Sequence, residues 1–88
     1  MGEQTHRPVF PRLDEVAERR QALRATLVAR RVARGLTQTD VAAQMGTSQS
    51  SVARFEASAG DLRLSTLERY AAAVGGHLDW HLAAPDDA

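Results

Sequence analysis

Gln49, Ser50 and Arg54 crowd the start of the stretch QSSVARFEA, residues 49–57, on a side that cannot serve a core because Val52 and Phe55 must face inward. A glutamine amide sets one donor beside one acceptor, which matches N7 and N6 of adenine. A guanidinium sets two donors in parallel, which matches N7 and O6 of guanine, and each such pair is worth on the order of 1–3 kcal/mol of discrimination. Catalysis would need a different constellation: paired carboxylates, a nucleophile with its base, or a phosphate-cradling loop. Ser48, Ser50 and Ser51 have no histidine in their own element, and His77 and His81 lack a third ligand nearby, so both are read as solvent-facing. The chain has no cysteine, which excludes disulfides, thiolate nucleophiles and cysteine-held metals. No enzyme activity, metal or cofactor is expected.

Elements that position these residues follow from spacing. Leu13 to Arg34 contains no proline or glycine, and Leu13, Val16, Leu23, Leu27 and Val28 recur near helical period, giving one long helix or two with a break near Gln21. Asp14, Glu15 and Glu18 at its start and Arg30, Arg31 and Arg34 at its end match the helix dipole, and Gly35 stops it. Thr37 caps a short second helix with Val41, Ala42 and Met45 inward, ending at Gly46; Thr47 or Ser48 caps the third. Two such helices around one glycine meet the steric demands of a helix-turn-helix, crossing at about 90–120°. Ser58 to Leu64 reads as a loop. Ser65 and Glu68 form a capping box for a fourth helix that buries Leu67, Tyr70, Ala71 and Val74 and ends at Gly75 and Gly76. Leu78, Trp80 and Leu82 alternate with His77, Asp79 and His81, a period-two strand pattern that competes with a short fifth helix. A lone strand needs a partner, and a second subunit's copy is the simplest, which makes Leu78, Trp80 and Leu82 a candidate dimer interface.

Length bounds the rest. A chain of 88 residues supports one small domain, marginal without a partner. Residues 1–11 read as a flexible arm, 12–83 as the folded domain and 84–88 as a frayed tail. No run is long and apolar enough for a membrane span, so a cytoplasmic protein is expected. The net charge of zero hides segregation: residues 19–34 carry six arginines and no acid, while residues 61–88 sum to minus three. Arg19, Arg20, Arg24, Arg30 and Arg34 could add charge toward a DNA backbone, and a solvated face is the plain alternative.

Residues 23–74, through GLTQTDVAAQMGTSQSSVARFE and LSTLERYAAAVGG, resemble the Cro and phage-repressor class of helix-turn-helix proteins, the XRE type. The resemblance implies an all-α, lambda-repressor-like domain of four to five helices, with a short C-terminal β-strand for dimerisation as the added feature. It also implies a helix from about Gln49 in the major groove of double-stranded DNA, with Gln49, Ser50 and Arg54 at base-contacting positions and Ala53 nearby. Gln38 and Ser51 fall at phosphate-contacting positions, beside the cap residue Ser48. Arg31 and Glu56 fall where the class forms a buried ion pair between its first and third helices. Gly76 and His77 depart from the phage pattern, and with the GGHLD segment the chain is more similar to the HigA-type antitoxins. That likeness implies a homodimeric repressor of its own operon and, as the alternative main task, neutralisation of an mRNA-cleaving toxin partner.

Overall fold

The computed structural model describes residues 13–79, 81 and 82. Four helices follow in order: α1 Leu13–Ala33, α2 Gln38–Met45, α3 Gln49–Ala57 and α4 Leu64–Ala73. The all-α architecture is thus the expected one, and α1 runs unbroken through Gln21 because nothing between its ends removes an N–H or frees the backbone. The arm and the tail expected at the two ends lie outside the described residues.

Each inward stripe meets the others in one core: Leu27 from α1, Val41 and Ala42 from α2, Val52 from α3, and Leu67, Tyr70, Ala71 and Val74 along α4. Tyr70, Val41, Val52 and Val74 are the largest wholly buried side chains, and burying each valine contributes on the order of 1.5–3 kcal/mol. Leu23, Leu36, Met45, Phe55 and Leu62 close the rim. Phe55 lies 5.0 Å from Tyr70 between ring centroids, with the rings tilted, so the aromatic pair ties α3 to α4.

The turn that sets α2 against α3 depends on Gly46. Its φ is 70°, a left-handed conformation that a side chain disfavours, and it lets the Thr47 N–H reach the Ala42 carbonyl at 2.9 Å. This bond from the second residue past the helix joins the Gly46 N–H, which donates to the Ala42 and Ala43 carbonyls, in closing the last turn of α2. At its other end α2 has a true capping box: Thr37 Oγ1 accepts from the Asp40 N–H at 2.9 Å, and the Thr37 N–H donates to Asp40 Oδ2 at 2.8 Å. The bond from the Thr37 N–H first, and then one from the Thr37 hydroxyl, hold the Asp40 carboxyl below its ordinary range.

Two expectations need correction. The Ser65–Glu68 capping box does not form, because α4 begins at Leu64 with Arg63 as its N-cap and no side-chain bond at the cap. Leu62 and Leu67 occupy the flanking positions of a hydrophobic staple, and both pack into the core, so apolar contact fixes the entry of the chain where the polar signal pointed two residues later. In the tail, residues 76–79, 81 and 82 form neither strand nor helix. Among the described residues a single strand has no edge to pair with, and its backbone gains nothing from extending alone.

Candidate nucleic-acid interface

Ser48 caps α3 in an extended conformation, its Oγ accepting from the Ser51 N–H at 3.1 Å. The same hydroxyl donates to Ser51 Oγ at 2.9 Å and lies 3.2 Å from Ser50 Oγ. With Val52 buried, the helical repeat turns Gln49, Ser50 and Arg54 outward as exposed side chains, while Ser51 and Ala53 are half-buried at the edge of that face. Among the described residues Arg54 hydrogen-bonds Ser51 Oγ, at 3.4 Å, so its guanidinium keeps nearly all of its donors for a partner.

Beneath this face sits a carboxylate with four donors around it. Glu56 Oε2 accepts from Arg31 Nε at 2.7 Å and from the Tyr70 hydroxyl; Oε1 accepts from Arg31 Nη2 at 3.1 Å and from Gln38 Nε2 at 2.9 Å. Arg31 also donates through Nη1 to the Leu36 carbonyl at 2.8 Å, so one side chain joins α1, the α1–α2 connection and α3. Gln38 continues the network outward, its Oε1 accepting from Gln49 Nε2 at 2.6 Å. A continuous line of hydrogen bonds therefore runs from the core pair to the first exposed residue of α3.

Burial alone would push the Glu56 carboxyl up, but hydrogen bonds from Arg31, Tyr70 and Gln38, with the Arg31 charge behind them, outweigh it and hold the group below the ordinary carboxylate range. The Tyr70 phenol is held high, first by burial and then by the Glu56 carboxylate. A depressed carboxyl stabilises the fold above its unfolded pKa of about 4.3 and ceases to do so as pH falls through the lower folded value. Acid titration below pH 4 should consequently destabilise the wild type more steeply than Glu56→Gln; equal slopes of unfolding free energy against pH would remove Glu56 from the acid response.

The arginines of α1 are mostly committed elsewhere. Arg24 is buried, donates from Nη2 to the Gly60 carbonyl at 3.1 Å and from Nη1 to Gln21 Oε1, and its guanidinium carbon lies 5.7 Å from the Phe55 ring centroid. Burial, then the neighbouring Arg20 charge, lowers its pKa. It fastens α1 to α3 and to the following loop and cannot meet a DNA backbone. Arg30 donates from Nε to the Val74 carbonyl and from Nη2 to the Gly75 carbonyl, both at 3.2 Å, and the Arg34 guanidinium lies against Gly75. Both are drawn to the end of α4, where unpaired carbonyls and the dipole favour cations. Arg20 reaches Asp61 at 3.9 Å.

Sequence spacing did not single out Arg63 and Thr66. They line an open hollow of about 970 Å³ beside α3, with Arg54, Ser51 and Ser58 on the facing wall. The available signal was a basic residue just ahead of the helix that follows α3, but it has meaning only once the path of the 58–63 loop is known. His77 Nε2 lies 3.2 Å from Asp79 Oδ1 on the open surface, and among the described residues no cluster of three or more metal-ligating side chains occurs. Among these residues, too, no helix is long and apolar enough to cross a membrane.

Leu78 is half-buried against the core of its own chain, whereas Leu82 is 97% exposed. Trp80, the third residue of the expected dimer interface, lies outside the described residues.

Comparison with known proteins agrees with this geometry. A family model described as helix-turn-helix matches residues 27–81. Antitoxin HigA1 of Mycobacterium tuberculosis (strain ATCC 25618 / H37Rv) is 40% identical over 78 residues, an alignment covering 89% of this chain and 52% of HigA1. Putative antitoxin HigA3 of the same strain is 41% identical over 75 residues, covering 75% of this chain and 67% of HigA3. The chain thus spans about half the length of HigA1. No solved structure gives a significant match.

Proposed function

The chain belongs to the XRE-type helix-turn-helix family, a non-enzymatic DNA-binding class, and from that membership we propose that it is a transcriptional repressor that binds a palindromic operator as a homodimer. The observation that supports this reading is the outward face of α3. Gln49, Ser50 and Arg54 stand exposed at the start of a helix whose other side is fixed to the core by Val52 and Glu56. In this reading Gln49 and Arg54 bond base edges, with Ser50 and Ala53 beside them. Ser48, Ser51 and the first N–H groups of α2 at Gln38 meet phosphate oxygens, which helix starts attract. Half-sites then lie about 34 Å apart, or a multiple of that. Selection from a pool of randomised duplexes tests it: an enriched inverted repeat with that spacing is expected, and a pool that stays random after selection would refute operator binding.

Leu82 is the better probe of pairing through the tail, because Leu78 serves its own core and its replacement would confound folding with association. Leu82→Asp should convert the dimer to a monomer in sedimentation and weaken operator binding while leaving the thermal unfolding of the monomer unchanged. A dimer that persists in this variant moves the interface elsewhere.

A second reading has its own support, since the similar proteins are named as antitoxins. In it the chain also neutralises a ribonuclease toxin by direct binding and represses the operon that encodes both. Co-expression with the product of the adjacent gene decides it: a stable complex with loss of ribonuclease activity is expected, and independent migration of the two proteins would leave only the repressor.

A further inference from the structure

We infer that Glu56 is a positioning residue that sets the hydrogen-bond polarity of Gln49 through Gln38, and so fixes which base Gln49 accepts. The inference rests on the operator reading above and adds a specificity role for a side chain that never reaches the DNA.

The chemistry is that of amide orientation. A carboxylate only accepts hydrogen bonds. Glu56 is almost wholly buried, its side chain 8% exposed, and Arg31 and Tyr70 occupy both of its oxygens from the core side. Its remaining acceptor direction takes Gln38 Nε2 at 2.9 Å. With its nitrogen turned inward, Gln38 must turn its oxygen outward, and that oxygen accepts from Gln49 Nε2 at 2.6 Å. One of the two Nε2 protons of Gln49 is thereby committed. What remains to face the groove is a single N–H beside a carbonyl oxygen, the edge that matches adenine N7 and N6. Guanine presents acceptors at both N7 and O6, so the Gln49 oxygen would oppose O6.

An unrestrained glutamine could turn both N–H groups toward guanine. The hydrogen bonds from Glu56 outward remove that option, and the ionised state of Glu56, held by the donors around it, keeps the orientation fixed near neutral pH. Replacing the carboxylate with an amide breaks the logic at its source. In Glu56→Gln the new Oε1 stays with Arg31, the new NH2 faces Gln38, and Gln38 must present its oxygen inward and its nitrogen outward. Gln49 then accepts from Gln38 and is left with both N–H groups for the groove.

The test uses the duplex enriched by the wild-type protein. Gln49→Ala locates the base pair that Gln49 reads, and the probe is that duplex with this A·T pair changed to G·C. The wild type should prefer A·T by about 5- to 150-fold, the range for one bidentate contact. Glu56→Gln should bring this ratio close to one, or invert it, while the preference at the base pair read by Arg54 stays as in the wild type. That contrast is one that a general loss of structure would not give. The double variant Arg31→Met/Glu56→Met removes the pair without stranding a charge; it should stay folded and show the same loss at the Gln49 position, which guards against a single variant that fails to fold. Full A·T preference in both variants overturns the inference alone. No preference at that position in the wild type overturns the base-reading assignment and the inference with it.

Discussion

Arg31→Met unfolds this domain under conditions in which the parent chain is folded. The substitution leaves Glu56 buried, with its Nε and Nη2 donors gone and only Tyr70 and Gln38 to offset its charge. Removing one partner of a buried pair costs about 3–5 kcal/mol. A domain has in total about 5–15 kcal/mol of stability, and one of this size sits toward the low end. Urea unfolding followed by circular dichroism should place the midpoint near zero denaturant. A loss below about 1 kcal/mol, the value of an exposed pair, would mean that the Arg31–Glu56 contact is solvated rather than structural. Removing both charges together should cost far less than removing either one, since neither partner is then stranded.

Arg54→Ala separates reading from folding. The side chain is exposed and its hydrogen bond to Ser51 Oγ, at 3.4 Å, is weak, so thermal stability should be unchanged. On the enriched operator the loss should be on the order of 1–3 kcal/mol, about 5- to 150-fold, confined to one base position. On random duplex the loss should be several-fold smaller, because a phosphate contact is all that the guanidinium can make there. Equal losses on both would reassign Arg54 to the backbone.

Much of this fold is legible in the chain. Val41, Ala42, Met45, Val52 and the Leu67–Val74 stripe face the core as periodicity requires, and glycine ends α2 at the turn, because both signals are local. What periodicity cannot reach is long-range pairing. The fate of Arg24 depends on the carbonyl of Gly60, thirty-six residues away, and no composition argument separates such a residue from its solvent-facing neighbours. The start of α4 shows competition between local signals, where Leu62 and Leu67 prevail over Ser65 and Glu68. Gln38 shows a third limit. The resemblance assigns it to a phosphate, yet both ends of its amide are engaged by Glu56 and Gln49, which leaves the backbone N–H for that task. That arrangement needs three helix ends in fixed register. The tail pattern at 77–82 carries a strand signal, but forming a strand requires an edge, and the described residues offer none.

Titration of the isotope-labelled protein with its enriched duplex, read by amide and side-chain chemical shifts, locates the DNA-facing surface residue by residue. The largest changes should fall on Gln49, Ser50, Ala53 and Arg54, with smaller ones at Gln38 and Ser48 and almost none along the outer face of α1. Changes concentrated on α1 or the end of α4, with the start of α3 silent, would contradict this placement.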